Sequence, residues 1–287
     1  MLKPCLPYIE CLIPRFMLRL AMFAAVLVIT TCMSNPGVSG QTGTTGPSSP
    51  LVLRVGSYNI HATTVVPALK NIAGEIRELN LDIVGLQECD VNMPRTQFHN
   101  IPKELAKYSG LVHHAFGDSI KFDGGLYGNA IISAYPILST KRTYLPSGSG
   151  ERRSLMHCVI SVEGIKINVF NTHLSINSEG GTALRPEQFK VIQEIISQHR
   201  PFILFGDFNE NIRASTSGYE LLENVIMANT HENPLGTLKR LGAIGDGSGR
   251  AVDNIIISDD LTMRGVNVSR TTFSDHDMVY CEVAFDF

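Results

Sequence analysis

The chain of 287 residues carries 24 Lys and Arg against 27 Asp and Glu, and without Lys3, Arg15, Arg19 and Glu10 near the N-terminus the balance is 21 against 26, a net charge of −5. That acidic balance weighs against a non-specific nucleic-acid binder, which draws most of its affinity from neutralising phosphates. Beyond the N-terminal segment, Cys89, Cys158 and Cys281 are an odd number in apolar strand patterns without zinc-site spacing, so they read as buried thiols and exclude a fully paired disulfide framework.

Residues 1–33 read as an export signal. Lys3, Arg15 and Arg19 precede an apolar run of ten residues, Leu20 to Ile29, followed by Thr30-Thr31-Cys32. The run is shorter than the ~20 residues of a membrane-spanning helix. Ile29-Thr30-Thr31-Cys32 resembles a lipobox, in which the Cys is acylated, although Thr before the Cys departs from the usual Gly or Ala. Met17 is a second candidate start, and either start predicts an extracytoplasmic protein, secreted or membrane-anchored through an acylated Cys32. Residues 34–50, poor in apolar side chains, predict a flexible linker. The remaining 51–287, 237 residues, suffice for one domain burying roughly 70 to 75% of its unfolded surface.

Leu51 to Tyr58 alternates as a strand that exits at Asn59, and Val65, Leu69, Ile72, Ile76 and Leu79 place one apolar stripe on a helix. Asp82 to Leu86 is a short buried strand ending in Gln87-Glu88, so strand, helix and strand predict a parallel pair with a right-handed crossover. Asp90 to Gly128 reads as loop-rich, with a short helix near Pro102 to Tyr108, and precedes a strand from Ala130 to Ala134 that Pro136 ends. After a polar loop, Leu145 to Gly150, and Glu151-Arg152-Arg153, Leu155 to Val162 pairs with Ile165 to Phe170, which exits at Asn171-Thr172-His173. Pro186 is placed to open a helix with Phe189, Ile192, Ile196 and His199 on one face. Phe202 to Phe205, too short for a helix, is a core strand that Gly206 releases into Asp207-Phe208-Asn209. A helix is expected around Tyr219 to Met227. Asp253 stands at the entrance to the strand Ile255 to Ser258, and Asp275-His276 at the entrance to Met278 to Val283.

Polar residues thus mark the ends of at least six strands. Singly, each has an ordinary structural reading: Asp207 and Asn209 as an Asx turn, Glu88 as a capping carboxylate, His173 as a satisfied structural histidine. Together, Tyr58-Asn59-Ile60, Leu86-Gln87-Glu88, Asn171-Thr172-His173-Leu174, Gly206-Asp207-Phe208-Asn209, Val252-Asp253-Asn254-Ile255-Ile256-Ile257-Ser258 and Ser274-Asp275-His276-Asp277 resemble, in order, the motifs of the endonuclease/exonuclease/phosphatase superfamily. Its members include DNase I, abasic-site endonucleases, neutral sphingomyelinases and inositol polyphosphate 5-phosphatases. The resemblance runs from about Arg54 to Val283. It implies a DNase I-like α/β fold, a four-layer sandwich of two packed mixed β-sheets flanked by helices.

It also implies a metal-dependent phosphoric ester hydrolase using Mg²⁺ or Mn²⁺, hard cations that take oxygen ligands and keep waters of their own. By that resemblance Glu88 is the principal metal ligand, with Asn59 and Asp275 beside it. Asp207 orients or deprotonates the attacking water, and Asn209 donates to a phosphoryl oxygen. Asp253 pairs with His276 and fixes its tautomer, while His173 hydrogen-bonds the phosphate or protonates the leaving group. Whether Asp207 or His276 takes the water's proton stays open, as does the choice between one ion and two. Asn129 resembles a phosphate-contacting Asn. Arg152, like Arg95 and Arg153, is either an anion clamp or a solvated loop charge. His61, His113, His114, His157 and His231 receive no role.

The expected substrate is a phosphodiester or phosphomonoester, drawn from lipid headgroups, small molecules or nucleic acid. The lack of tryptophan, the lack of a basic run in Ser175 to Leu184 and the acidic balance favour a small or lipid-derived phosphoester. A secreted DNase I-like endonuclease is the alternative, and a catalytically silent lipid-anchored binding protein is a second. A monomer is expected.

Overall fold

The computed structural model describes residues 50–62, 65–214 and 218–285. The expected export signal and, apart from Pro50, the linker lie outside the described residues. The chain runs β1 (Leu51–Asn59), α1 (Val65–Glu78), β2 (Ile83–Val91), α2 (Ile101–Ser109), β3 (His113–Phe122), β4 (Gly125–Ser133), β5 (Ile137–Tyr144), β6 (Ser154–Val162) and β7 (Ile165–His173). It continues through α3 (Gly181–Ile196), β8 (Phe202–Asp207), β9 (Val225–Met227), β10 (Asp253–Ser258), β11 (Thr262–Ser269) and β12 (Met278–Phe285).

Two six-stranded sheets form, in the orders β11-β12-β1-β2-β4-β3 and β5-β6-β7-β8-β10-β9. The centre of each is one parallel pair, β1 with β2 and β7 with β8, and the other pairings are antiparallel. Parallel neighbours need a long crossover, and α1 and α3 lie in those two connections. Both sheets are therefore mixed.

Alternation along the strands sends one set of apolar side chains between the sheets. Leu53, Val55, Ile83, Ile131 and Val279 of the first sheet meet Val169, Ile203, Phe205 and Ile255 of the second in one core. The other face of the first sheet buries Val84, Leu86 and Ile132 against Leu69, Ile72 and Ile76 of α1 and Leu105 of α2. The far face of the second sheet buries Phe170, Leu204 and Ile256 against Phe189, Ile192 and Ile196 of α3. Helices, sheet, sheet and helix make the four-layer α/β sandwich. The sheets approach so closely at Gly85 that an added Cβ would lie 2.4 Å from the Phe205 Cβ. Cys89, Cys158 and Cys281 are buried free thiols.

Several expected elements differ. The stretch from Asp90 to Gly128 is not loop-rich: β2 runs on to Val91, and β3 and the first half of β4 occupy its end. Pro186 does not open its helix. It sits inside α3, whose first turn is anchored by Arg185, which donates to the Ser175 carbonyl at 3.0 Å and to Asn177 Oδ1 at 2.8 Å. These tertiary bonds hold the helix start ahead of the residue that cannot donate. His199 lies beyond the end of α3, with Nδ1 2.7 Å from the Ile195 carbonyl. The helix expected around Tyr219 to Met227 is instead a 3-10 turn, Tyr219–Leu221, followed by β9. Asn224, at φ 57, breaks the run, and β9 takes its hydrogen bonds from β10.

Candidate active site

β1, β7 and β8 end on one rim, which β2 crosses on its way to Val91, and their registers set the residues there side by side. Asn59 is level with Gln87, His173 with Asp207, and Asp207 with Asp253 at the start of β10. Glu88 comes from a break in the β2–β4 ladder between Leu86 and Cys89, where its backbone takes φ 59. A left-handed non-glycine residue costs of order 1–3 kcal/mol, and a bulge of this kind re-aims a side chain. A buried network under the rim supports the bulge. Asn171 Nδ2 donates to the Leu86 and Ala130 carbonyls at 2.8 and 2.7 Å, and Gln87 Nε2 donates to Asn171 Oδ1 at 2.7 Å. A carboxamide of β7 thus fastens the second sheet to the first beneath Glu88.

Asn59 Nδ2 donates at 3.0 Å to Glu88 Oε1 and at 3.0 Å to Asp207 Oδ2. Its Oδ1 accepts from His61 N at 3.1 Å. The amide therefore presents donors, not its oxygen, to the two carboxylates. Asp207 Oδ1 accepts from Asn209 N at 2.9 Å, and Asn209 holds φ 51, a conformation that Asn tolerates.

Two carboxylates facing across an antiparallel pair repel. At Asp207 and Asp253 the compensating charge is His276. Its Nδ1 lies 2.8 Å from Asp253 Oδ2 and its Nε2 3.6 Å from Asp207 Oδ2. Burial pushes the imidazole toward neutrality, but Asp253 and then Asp207 outweigh it and hold it up to about 10, so it is a cation at neutral pH. Thr237 Oγ1, a residue that no sequence pattern singled out, also donates to Asp253 Oδ2. Asp207 is raised, first by burial and then by Asp253, against the pull of His276, His173 and the Asn59 bond.

His173 has the opposite character. Burial first, then Arg153, pushes it down to about 3, so it is neutral. Asn209 Nδ2 donates to the Leu174 carbonyl at 3.0 Å, which fixes the amide, and contacts His173 Nε2 at 2.9 Å. Nε2 is then the acceptor, and the ring proton sits on Nδ1.

Asp275 is a quarter exposed, with Oδ2 4.0 Å from His61 Nε2, so His61, given no role from the sequence, borders the site. Asn129 is buried, and its Nδ2 donates to the Ser154 carbonyl at 3.2 Å. Arg152 is exposed and lies over the Tyr144 ring at 4.6 Å, in a separate cleft of about 870 Å³. Arg95 and Arg153 are already paired: Arg95 with Asp90 through two 2.8 Å bonds, Arg153 with Glu151 and Glu179 at 2.9 Å each.

Among the described residues, Asp207, Asp253 and His276 bring ligand atoms within 4.8 Å of one another. Asp253 Oδ2 and both Asp207 oxygens already accept hydrogen bonds, and the His276 ring is held protonated between the two carboxylates, so a cation taking that ring as a ligand would have to displace its proton. Glu88 and Asp275 offer hard oxygens at the more open side, which fits Mg²⁺ or Mn²⁺ with several waters retained. Asn59, with Oδ1 turned to His61 N, fits better as the donor that holds Glu88 than as a direct ligand.

Fold and rim define a phosphoesterase-type α/β sandwich. The chain belongs to the endonuclease/exonuclease/phosphatase family, whose model matches residues 56–276. Members of that family are hydrolases acting on phosphoesters. The chain is similar to the Escherichia coli protein YbhP, 25% identical over 162 residues that are 51% of this chain and 59% of that protein. Among solved structures it is similar to an endonuclease/exonuclease/phosphatase from Beutenbergia cavernae, with TM-score 0.63, 21% identity, and 82% and 72% of the two chains covered. It is also similar to the mannosyl-6-phosphatase Bt3783 of Bacteroides thetaiotaomicron, with TM-score 0.61, 18% identity, and 81% and 100% covered.

Proposed function

We propose that this protein is an extracytoplasmic, Mg²⁺- or Mn²⁺-dependent phosphoesterase that prefers a small or lipid-derived substrate to DNA. The observation that carries the reading is the buried arrangement of Asp207, His276 and Asp253 beside Asn59 and Glu88. The charge states divide the labour. His276, held as a cation, suits stabilisation of charge developing on the phosphoryl oxygens. Asp207, with Oδ1 and Oδ2 held by Asn209 and Asn59, is then the group that orients the attacking water and takes its proton. His173 is neutral, with Nε2 already accepting from Asn209, so it is a polar wall of the site rather than the acid that protonates the leaving group. Asn209 commits its two amide hydrogens to the Leu174 carbonyl and His173 Nε2 and so holds that ring in place. Glu88 and Asp275, with Asn59 behind Glu88, would hold the metal ion, which when bound neutralises phosphoryl charge and positions water.

Export is supported by Arg19, the apolar run and Cys32 in the sequence. The substrate preference is supported by the acidic balance and by the pairing of Arg95 and Arg153 within the protein, which leaves those guanidiniums engaged. The deciding experiment is a hydrolysis screen with Mg²⁺ over plasmid DNA, sphingomyelin, phosphoinositides and aryl phosphodiesters, each repeated in EDTA. Turnover of a lipid or small ester that vanishes in chelator is expected. Turnover undiminished in EDTA would remove the metal from the mechanism, and DNA as the best substrate would establish the endonuclease alternative.

A further inference from the structure

Asp275 and His276 ride on a turn before β12 that has no helix or ladder of its own, so other parts of the chain must hold it. Lys239, between β9 and β10, meets that need. Its side chain is 7% exposed, and Nζ donates to the Ser274 carbonyl at 2.9 Å and the His276 carbonyl at 2.8 Å, and sits 2.8 Å from Asp277 Oδ1. Two of the three N–H donors of the ammonium bond carbonyls of this turn, and the charge pairs with Asp277 Oδ1 of the same turn. The Lys239 backbone N donates to the Asp275 carbonyl at 2.8 Å, and Asp277 N donates to the Thr237 carbonyl at 2.9 Å. Residues 274 to 277 are thus each bonded to the segment 237–239. Arg270 Nη1 donates to the other Asp277 oxygen at 2.9 Å, so the carboxylate that neutralises Lys239 is itself fixed.

A buried ammonium is tolerated only with an anion and hydrogen-bond acceptors, and Asp277 and the two carbonyls supply them. Nζ bonds the backbone of His276, not its ring. Removing the ammonium would take away the donor to two carbonyls and leave Asp277 Oδ1 without its ion-pair partner, and the turn would have to re-form around them.

We propose that Lys239 is a positioning residue that sets the backbone of the Asp275–His276 turn. It thereby places His276 Nδ1 against Asp253 and Nε2 toward Asp207 without touching the reacting groups. The inference rests on the reading of His276 as a reacting group.

The test uses the full chain and an aryl phosphodiester with Mg²⁺, comparing wild type, Lys239→Met and His276→Ala after circular dichroism confirms folding. A misplacement of about 1 Å costs on the order of 10²-fold, so Lys239→Met should lose about that much in kcat while KM stays within about threefold. Methylammonium added to Lys239→Ala should restore at least about tenfold of the lost rate, because it returns N–H donors to the vacated space, and tetramethylammonium should not. If Lys239→Met does not fold, Lys239→Arg decides, since a planar guanidinium cannot converge its donors on these acceptors. An Arg variant with wild-type kcat, or a folded Met variant with kcat within about threefold of wild type, overturns the proposal. Full activity in His276→Ala would instead remove the underlying functional reading, so the two failures are separable.

Discussion

Asp253→Asn removes the charge that faces His276 Nδ1 at 2.8 Å and keeps the size of the side chain. Burial alone would leave this imidazole neutral, yet it is held up to about 10 against an ordinary 6.5, and Asp253 is the largest charge behind that rise. The displacement corresponds to roughly 5 kcal/mol in favour of the cation. With a carboxamide in place of Asp253, Asp207 and Asp275 remain to oppose burial, and the expected outcome is a His276 that is neutral near pH 7. Acid–base and charge-stabilising help of this sort is worth about 10² to 10⁴-fold, or roughly 3 to 5 kcal/mol of barrier. Asp253→Asn and His276→Ala should each lose within that range, and the double variant should be no more than about threefold worse than the worse single, because the pair acts as a unit. The assay is kcat/KM for the four proteins on one aryl phosphodiester with Mg²⁺, with circular dichroism as the fold control. Ring ¹⁵N shifts of His276 should read imidazolium in wild type and neutral imidazole in Asp253→Asn at pH 7. Losses that multiply in the double variant, or a His276 that stays charged without Asp253, would refute the pairing.

The two buried histidines titrate in opposite senses. His276, raised to about 10, adds stability that is fully present below pH 6.5 and lost as the pH rises toward 10. The urea-unfolding gap between wild type and His276→Gln should therefore narrow from neutral to alkaline pH, and a widening gap would contradict the assigned charge. His173, lowered to about 3, is neutral when folded, so its contribution is lost as the pH falls from 6.5 toward 3. The gap to His173→Asn should narrow on that acid side, and one unchanged between pH 6.5 and 4 would count against a neutral His173. Gly85→Ala places a Cβ 2.4 Å from the Phe205 Cβ and should cost about 3 kcal/mol in urea unfolding; a loss below about 1 kcal/mol would mean that the sheets part easily there. Asn171→Leu removes the Oδ1 acceptor of Gln87 Nε2 and the donor to two buried carbonyls and should cost about 3 kcal/mol, with an unshifted urea midpoint as the refuting result.

What the sequence discloses follows burial. β1, β2, β6, β7, β8, β10 and β12 were legible because interior strands are apolar on one face or both. The four strands that were not expected, β3, β5, β9 and β11, are the four sheet edges. β5 has the burial pattern of a mostly exposed strand, and its Ser-Thr-Lys-Arg-Thr carries neither alternation nor an apolar run, so nothing local separates it from a loop. The rim residues were legible for a related reason: a buried strand that stops at Asn, Asp or His announces a polar end. Thr237 and Lys239 gave no such signal. They lie in a segment without periodicity, and their partners Asp253 and the 274–277 turn are brought to them only by the folding of the two sheets.

The two parallel pairs also account for the composition of the rim. Each pair needs a helical crossover and so brings its two strands to the rim together, β1 with β2 at Asn59 and Glu88, where β2 bulges before running on to Val91, and β7 with β8 at His173 and Asp207. Packing the sheets face to face brings these two mouths against each other and would set Glu88 against Asp207 with nothing between them. Asn59 is the group that makes this tolerable, because one amide nitrogen donates at 3.0 Å to each carboxylate. An Asp at this position would add a third negative charge, and a Ser has one hydrogen to give where two acceptors wait. Only a short carboxamide both spans the seam and supplies two donors from a single atom. The residue at the end of β1 is therefore what ties the carboxylate assigned to the metal to the carboxylate assigned to the water, and the separation between those two roles is set by the reach of one side chain.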